Sequence, residues 1–189
     1  ESISDASVAS ELASVIGYPV IIKAAAGGGG IGMQIVEKSD EFENALKLCQ
    51  SRAKSAFGDE RVFVEKYIQG AQHVEFQVLA DGKNAIHFGE RFCSIQRRHQ
   101  KLVEEGPWLD EAKRAEIGDL VCRGAESVGY SGLATFEFLR DANGDFYFLE
   151  VNPRVQVEHT VTELITGYNL VELGIRVAQG EKLPLSQED

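Results

Sequence analysis

One stretch of the chain reads FLEVNPRVQVEH and spans residues 148–159. Residues 146–151, which lead into it, carry apolar side chains at both odd and even positions, as a strand buried on both faces does. From residue 150 onward a carboxylate, an amide, a guanidinium, a second amide and a second carboxylate follow at alternate positions. Polar groups that leave a buried strand need a metal, an anion or one another as partners. The stretch is therefore a candidate active site.

Length and composition set the broad class of the protein. The 189 residues suffice for one domain, or for two small lobes, that buries roughly 70% of the unfolded surface. The net charge of −11 argues against a nucleic-acid partner, which requires a basic surface. No run approaches the ~18 apolar residues of a membrane helix, so we expect no membrane partner.

The cysteines predict the redox environment of the protein, and the first residue bears on whether the chain is part of a longer one. Cys49, Cys93 and Cys122 are far apart and lack metal-ligand spacing, which is typical of a reduced, intracellular protein. The chain starts at Glu1 without an initiator methionine, so we expect an excised or processed piece of a longer protein.

Hydrophobic periodicity predicts an α+β fold of antiparallel sheets with helices on one side. Ser4 is expected to cap a first helix that runs to Ile16, and Ser39 a second helix. Asp81-Gly82 and Asn143-Gly144 are turn signals for two hairpins. The predicted strands are residues 19–24, 33–36, 61–67, 73–80, 85–92, 133–140 and 146–151, and the later helices cover residues 110–128 and 160–180.

The second hairpin makes a geometric prediction about two carboxylates. If Asn143-Gly144 is a two-residue loop, Glu137 lies directly opposite Glu150. Like charges ~5 Å apart repel by roughly 3 kcal/mol at an effective dielectric near 20. A divalent cation such as Mg²⁺ or Mn²⁺ would remove that cost, with Asn152 as a neutral oxygen ligand on the same face. The alternative is a longer loop that leaves the two glutamates out of register as surface charges.

A glycine run, Gly27 to Gly30 with Gly32, follows a strand that ends at Lys23. Glycines let backbone N–H groups converge on phosphate oxygens. Because an extended segment follows and no Gly-Lys-Ser/Thr closes the loop, it is neither a P-loop nor a dinucleotide fingerprint. We expect either a lid over phosphates, with Lys23 as a nearby cation, or an ordinary mobile hairpin tip.

Two further groups of polar residues have both a functional and a structural interpretation. His73, Glu75 and Gln77 share one face of a strand, which is either a solvated face or the wall of a cleft. Residues 94–101 form a basic cluster that either binds an anion or is a solvated surface. His159 has no second histidine at helical spacing, so we expect it to orient its neighbours rather than to bind zinc.

Taken together, these segments resemble the biotin carboxylase branch of the ATP-grasp superfamily over residues 17–180. The motifs occur in the order of that family. They are Ile22-Lys23 with the glycine run, Glu65-Lys66-Tyr67, His73-Val74-Glu75, CSIQRRHQK at 93–101, Thr135-Phe136-Glu137-Phe138 and Glu150-Val151-Asn152-Pro153-Arg154. Carbamoyl-phosphate synthetases share the last motif, but its continuation through Glu158-His159 resembles biotin carboxylases alone.

The resemblance implies an ATP-grasp fold with two lobes of antiparallel sheet, helices packed on one side and a glycine-rich lid. The small, lid-bearing lobe would cover residues 1–67. The large lobe would cover residues 68–189, carry the metal and bicarbonate sites, and be truncated at its C-terminal end.

The resemblance also implies a role for individual residues. ATP would be held by Lys23, Gly27, Gly28, Gly29, Gly30, Glu65, Lys66, Ile68, His73, Gln96 and His99. Mg²⁺ or Mn²⁺ would bind Glu137, Glu150 and Asn152. Bicarbonate would bind Lys101, Arg154, Gln156 and Val157, with Glu158 as the general base.

The implied activity is that of a ligase, which carboxylates biotin with bicarbonate and ATP through carboxyphosphate. Its partners would be bicarbonate, a biotin carboxyl carrier protein and a carboxyltransferase, as in an acyl-CoA carboxylase. The full-length parent would be a homodimer in the cytoplasm, or in the mitochondrial matrix of a eukaryote. The alternatives are a module that binds Mg-ATP without turnover, and another ATP-grasp ligase that joins a carboxylate to an amine.

Three features depart from the family pattern. Ile31 stands where many relatives have an arginine, and residues 106–109 form a shorter connection than usual. We also expect the family's N-terminal domain, with a phosphate-binding lysine, and a C-terminal segment, with an arginine for biotin, to be missing. The isolated chain would then bind ligands but turn over poorly or not at all.

Overall fold

The computed structural model describes residues 6–26, 32–97 and 100–188. Within them, no helix is long and apolar enough to cross a membrane. The helices are α1 (Ala6–Ile16), α2 (Ser39–Phe57), α3 (Glu111–Ser127), α4 (His159–Thr166) and α5 (Leu170–Ala178). The strands are β1 (Val20–Ala24), β2 (Gln34–Val36), β3 (Val62–Lys66), β4 (Gln72–Asp81), β5 (Ala85–Arg97), β6 (Gln100–Glu105), β7 (Ser131–Arg140) and β8 (Phe146–Asn152).

The chain divides into two compact units, unit 1 (Glu1–Gln69) and unit 2 (Gly70–Asp189). Antiparallel sheets with helices make up both, which confirms the α+β class. The assignment of unit 1 as the lid-bearing lobe and unit 2 as the large lobe stays a prediction.

Unit 1 contains a three-stranded antiparallel sheet in the order β2-β1-β3. Helix α2 buries Phe42, Leu46, Cys49 and Ala53, which recur at helical spacing, and the first three pack against this sheet. The predicted cap at Ser39 is wrong, because Ser39 is the first residue of the helix. Lys38 occupies the cap position, and its side chain makes no capping hydrogen bond. The predicted cap at Ser4 lies outside the described residues.

Unit 2 contains a five-stranded antiparallel sheet in the order β6-β5-β4-β7-β8. Even-numbered residues of β4, such as Phe76 and Val78, pack against α3 through Val121. Odd-numbered Leu79 packs against α5 through Leu170, so helices cover both faces of this sheet. Strand β4 is therefore central, and its polar residues Glu75 and Gln77 are fully buried. The solvated-face interpretation of these residues is wrong.

The β7–β8 hairpin has a longer loop than predicted. Residues 141–145 connect the strands, and Arg140 pairs with Phe146, whereas a two-residue loop would pair Arg140 with Tyr147. A bulge next to Glu137 shifts the register back by one residue, so that Glu137 does pair with Glu150. The predicted pairing is correct although the predicted turn is not.

Candidate active site

Unit 1 places Lys23 and Glu65 on neighbouring strands, where their side chains form an ion pair. Lys66 points back to the end of α1 and donates to the carbonyl oxygens of Gly17, at 2.9 Å, and Tyr18, at 3.2 Å. The Lys66 ammonium is thus bonded to the backbone that follows α1. Gly27 to Gly30 and His99 lie outside the described residues, so the predicted lid is not tested.

Unit 2 collects most of the remaining predicted residues around the carboxylate of Glu137 on β7. Its Oε1 accepts hydrogen bonds from Asn152 Nδ2 at 2.8 Å and Gln156 Nε2 at 3.1 Å, and lies 3.2 Å from Lys101 Nζ. Its Oε2 lies 2.7 Å from His73 Nε2. Burial raises the pKa of Glu137, but the bond from His73 and the charge of Lys101 outweigh burial and lower the pKa to about 2. Glu137 is therefore ionised at neutral pH.

Gln96 fixes the orientation of the His73 ring. Its Nε2 donates to the carbonyl oxygen of Cys93 at 2.8 Å and lies 2.7 Å from His73 Nδ1. An amide N–H only donates, so Nδ1 accepts and the imidazole proton lies on Nε2. This orientation of the ring places Nε2 beside Glu137 Oε2, 2.7 Å away. His73 and Gln96, both predicted to contact the nucleotide, are thus connected to the predicted metal carboxylate.

The predicted metal ligands Glu137, Glu150 and Asn152 lie at the same end of the β7–β8 pair. Glu137 and Glu150 are directly opposite, and Thr135 pairs with Asn152. Glu150 is exposed, and its side chain makes no hydrogen bond or ion pair with any described residue. One ionised carboxylate, one free carboxylate and one amide oxygen are the hard oxygen donors that Mg²⁺ and Mn²⁺ take. The residues present therefore fit a divalent cation.

Lys101 on β6 lies among three carboxylates. Its Nζ is 2.8 Å from Glu158 and 3.2 Å from Glu137, and it also bonds Glu75. Burial lowers the pKa of Lys101, but the charge of Glu75 and the bonds to Glu158 and Glu75 raise it above its ordinary value. Lys101 therefore stays a cation although it is mostly buried. Lys101 and Glu158, two of the three residues predicted to be catalytic, are thus in direct contact.

Glu158 precedes α4 and is partly buried. Burial raises its pKa, but the hydrogen bond from Lys101 lowers it below the ordinary value. The resulting carboxylate can accept a proton. His159 stabilises this turn, because its Nδ1 lies 2.6 Å from the carbonyl oxygen of Gln156. That geometry fits the expected orienting role of His159.

The other predicted anion ligands differ in exposure. Gln156 is buried and donates to Glu137, which leaves its Oε1 without a described partner. Arg154 is exposed, and among the described residues its side chain bonds only the carbonyl oxygen of Val155, at 3.2 Å. Val157 has an exposed side chain. Arg154 is therefore outside the network that Lys101 organises in this structure.

Arg91 on β5 is the main residue that the sequence did not reveal. Its guanidinium is fully buried and donates to Glu75 Oε1, Gln77 Oε1 and Thr162 Oγ1 at 2.6–2.9 Å. The sequence could have indicated it, because an arginine within a buried strand needs an acidic partner. Odd-numbered Glu75 and Gln77 on the adjacent strand supply that partner.

Comparisons with known proteins agree with this arrangement. The family model of the carbamoyl-phosphate synthase L chain ATP-binding domain matches residues 1–186. Biotin carboxylase 2 of Populus trichocarpa is 54% identical over 95% of this chain and 35% of its own. A pyruvate carboxylase subunit of Methanothermobacter thermautotrophicus is 53% identical over 100% of this chain and 39% of its own.

Two solved structures have the same fold. The biotin carboxylase–βγ-ATP complex from Campylobacter jejuni has a TM-score of 0.94 and 51% identity over 99% of this chain and 42% of its own. The biotin carboxylase domain dimer of 2-oxoglutarate carboxylase from Hydrogenobacter thermophilus, in complex with MgADP, ADP and bicarbonate, has a TM-score of 0.94 and 46% identity, over 99% of this chain and 42% of its own. The chain thus spans 35–42% of the length of these relatives.

Proposed function

The chain belongs to the family of carbamoyl-phosphate synthase L chain ATP-binding domains, and we propose that it is the ATP-grasp part of a biotin carboxylase. The observation that carries the proposal is Lys101, a buried cation held between Glu137 and Glu158. The Lys101 ammonium thus contacts both Glu137, the carboxylate proposed to bind a metal, and Glu158, the carboxylate proposed to take a proton. Because the chain spans less than half of its relatives, the activity of the whole protein is part of the proposal.

ATP is the proposed nucleotide. Lys23 and the glycines 27–30 would bind its phosphates, and Glu65 with the backbone of Lys66 and Ile68 would bind adenine. His73 and Gln96 would bind ribose, and His99 would approach the phosphates. The ATP analogue and ADP named for the related structures support this choice.

Mg²⁺, or Mn²⁺ in its place, would be held by Glu137, Glu150 and Asn152. When bound, the ion would neutralise charge on the phosphates of ATP. The support from this chain is the opposed carboxylate pair, one member of which is ionised and the other free.

Bicarbonate is the proposed acceptor of the γ-phosphoryl group. Lys101, Arg154, Gln156 and the Val157 backbone would hold it, and Glu158 would take its proton. A bicarbonate oxygen then forms a bond to the γ-phosphorus while the bond to the ADP oxygen breaks, which gives carboxyphosphate and ADP. The carbon of carboxyphosphate then forms a bond to the ureido nitrogen of biotin while its bond to the phosphate oxygen breaks. The departing phosphate takes up the proton that the ureido nitrogen loses.

The partners belong to the proposal as well. Biotin would arrive on a carboxyl carrier protein or domain, and a carboxyltransferase would pass the carboxyl group to an acyl-CoA, pyruvate or urea. Relatives named as a propionyl-CoA carboxylase α chain and as part of a pyruvate carboxylase support this type of assembly. A homodimer is proposed in line with the related dimer.

Substitution of the proposed base tests the function. In the protein as its gene encodes it, Glu158→Gln should reduce bicarbonate-dependent ATP cleavage by at least about 100-fold, the usual contribution of a general base. Nucleotide affinity, measured by calorimetry with Mg-ATP, should change little. Glu172→Gln, an exposed carboxylate on α5, is the matched control. Normal turnover in Glu158→Gln would refute the proposed function.

A second candidate is a nucleotide-binding module without turnover. Calorimetry with Mg-ATP, followed by an assay of phosphate release with bicarbonate and free biotin, separates the two. Binding without release supports the module, whereas release above background refutes it. Release driven by an amine or another carboxylic acid, without biotin, would point to a different ATP-grasp ligase.

A further inference from the structure

Glu104 on β6 is a buried acid that none of the roles above uses. Its side chain is 9% exposed, and neither carboxylate oxygen has a hydrogen-bond partner among the described residues. Oxygen atoms of Glu104, Glu75 and Glu158 lie within 4.8 Å of one another. An ionised carboxylate in such a place loses its hydration without replacement, which is costly.

Among the described residues, the charged and titratable groups that face Glu104 come from β4, β5, β6 and the turn before α4. Glu75 faces it from β4, Arg91 and Cys93 from β5, Lys101 from β6, and Glu158 from the turn before α4. Arg91 Nε lies 3.5 Å from Glu104 Oε1.

Both cations near Glu104 already have closer partners. Arg91 bonds Glu75, Gln77 and Thr162, and Lys101 bonds Glu75, Glu137 and Glu158. Two positive charges thus face three negative ones before Glu104 is counted. Ionisation of Glu104 would therefore add a charge that neither of these two cations is free to balance.

We propose that Glu104 is a positioning residue that carries a proton and donates it in a hydrogen bond to Glu75. Two carboxylates cannot bond each other, but one proton between them allows it. The bond holds Glu75 in place, and Glu75 in turn holds Lys101 near Glu158. This inference rests on the proposed function, since Lys101 and Glu158 are the residues assigned to bicarbonate.

The electrostatic surroundings agree with this geometry. Burial and the adjacent Glu75 raise the pKa of Glu104 to about 8. The acid is thus protonated at neutral pH and ionises as the pH rises through about 8. The additional negative charge beside Lys101 then opposes an anionic substrate. The KM for bicarbonate should rise above that pH by at most about tenfold per pH unit, the limit for loss of one proton.

Two substitutions test the idea in the protein as its gene encodes it. Glu104→Gln keeps a hydrogen-bond donor without a titratable proton, and Glu104→Met keeps the size without the donor. Glu104→Gln should have a KM for bicarbonate near that of the wild type at neutral pH and should abolish its alkaline rise. Glu104→Met should raise that KM about tenfold at all pH values, the usual cost of one lost hydrogen bond to a charged group. Glu105→Gln, the exposed neighbour, is the control.

Infrared spectroscopy gives a second measurement that needs neither turnover nor nucleotide. The wild type should show a protonated carboxylic acid at neutral pH that disappears through about 8, and Glu104→Gln should lack that band. Absence of the band in the wild type, or an unchanged alkaline rise in Glu104→Gln, would overturn the inference. If Glu104→Met does not fold, these two results still decide. If the band is present but Glu158→Gln turns over normally, the proposed function fails and the protonation of Glu104 stands.

Discussion

At the scale of single residues, this protein buries charges in a connected network. Glu75 and Arg91 are fully buried and bonded to each other, and Lys101 connects Glu75 to Glu137 and Glu158. Removal of one member of such a network leaves its partner buried without compensation, which costs several kcal/mol. The network therefore constrains the side chains that are assigned to chemistry.

Glu90 is another buried carboxylate, and it anchors the short connection before α3. It accepts hydrogen bonds from the backbone N–H groups of Trp108 and Leu109, each at 2.7 Å, and from Arg114. Burial raises its pKa, but the bond from Arg114 and the two backbone bonds lower it below the ordinary 4.5. Its contribution to stability is thus present above 4.5 and is lost as the pH falls below that value.

Glu90→Gln should therefore lower the free energy of unfolding by roughly 2 kcal/mol at neutral pH, the value of hydrogen bonds to a charged group. The difference from the wild type should shrink in acid, because the wild-type carboxylate becomes protonated. Urea unfolding at neutral and acidic pH measures both effects. Glu172→Gln, exposed on α5, should change neither, and an equal loss for Glu90→Gln at both pH values would contradict the proposed cause.

At the scale of secondary structure, most elements could be predicted from sequence, but strand β6, the break between α4 and α5 and one turn could not. Periodicity located helix α2 and strand β4, because the apolar spacing of both is set by burial. The loop at residues 141–145 and the bulge next to Glu137 depend on local backbone geometry, which Asn143-Gly144 alone does not specify. The two deviations compensate, so that the pairing of Glu137 with Glu150 was still predicted correctly.

Replacing glycine by alanine should have different effects on stability in this turn and in helix α3. Gly144 has φ +92°, and an added Cβ would lie 3.1 Å from Arg140 Nη2. Gly144→Ala should lower the free energy of unfolding by about 1 kcal/mol or more. Gly124→Ala on α3 should be neutral or stabilising by up to about 1 kcal/mol, since its Cβ would make an ordinary 3.5 Å contact with Phe136. Thermal unfolding of both variants measures the contrast, and equal effects would contradict it.

Some residues of the candidate site could be predicted from sequence, and others could not. Those that a motif marks, such as Glu137, Lys101 and Glu158, were predicted and are brought together in unit 2. Arg91 and Glu104 were missed, because their roles depend on cross-strand neighbours that only the sheet order reveals. Gly27 to Gly30 and His99 lie outside the described residues, and their roles stay predictions.

At the scale of the whole molecule, the function proposed for the chain combines ATP cleavage with carbon transfer. The family membership and the 46–54% identity to biotin carboxylases and related carboxylases support both steps. The net charge of −11 requires that substrate anions be met by local cations such as Lys23 and Lys101 rather than by an overall field.

The most direct measurement is transfer of labelled carbon from bicarbonate to free biotin, in the protein as its gene encodes it. Labelled carboxybiotin should form only when ATP and Mg²⁺ are both present, and one ADP should appear for each label transferred or lost as carbon dioxide. Glu158→Gln should form none, and Glu172→Gln should match the wild type. ATP cleavage that needs no bicarbonate, or that is driven by another acid and leaves biotin unlabelled, would contradict the proposed function.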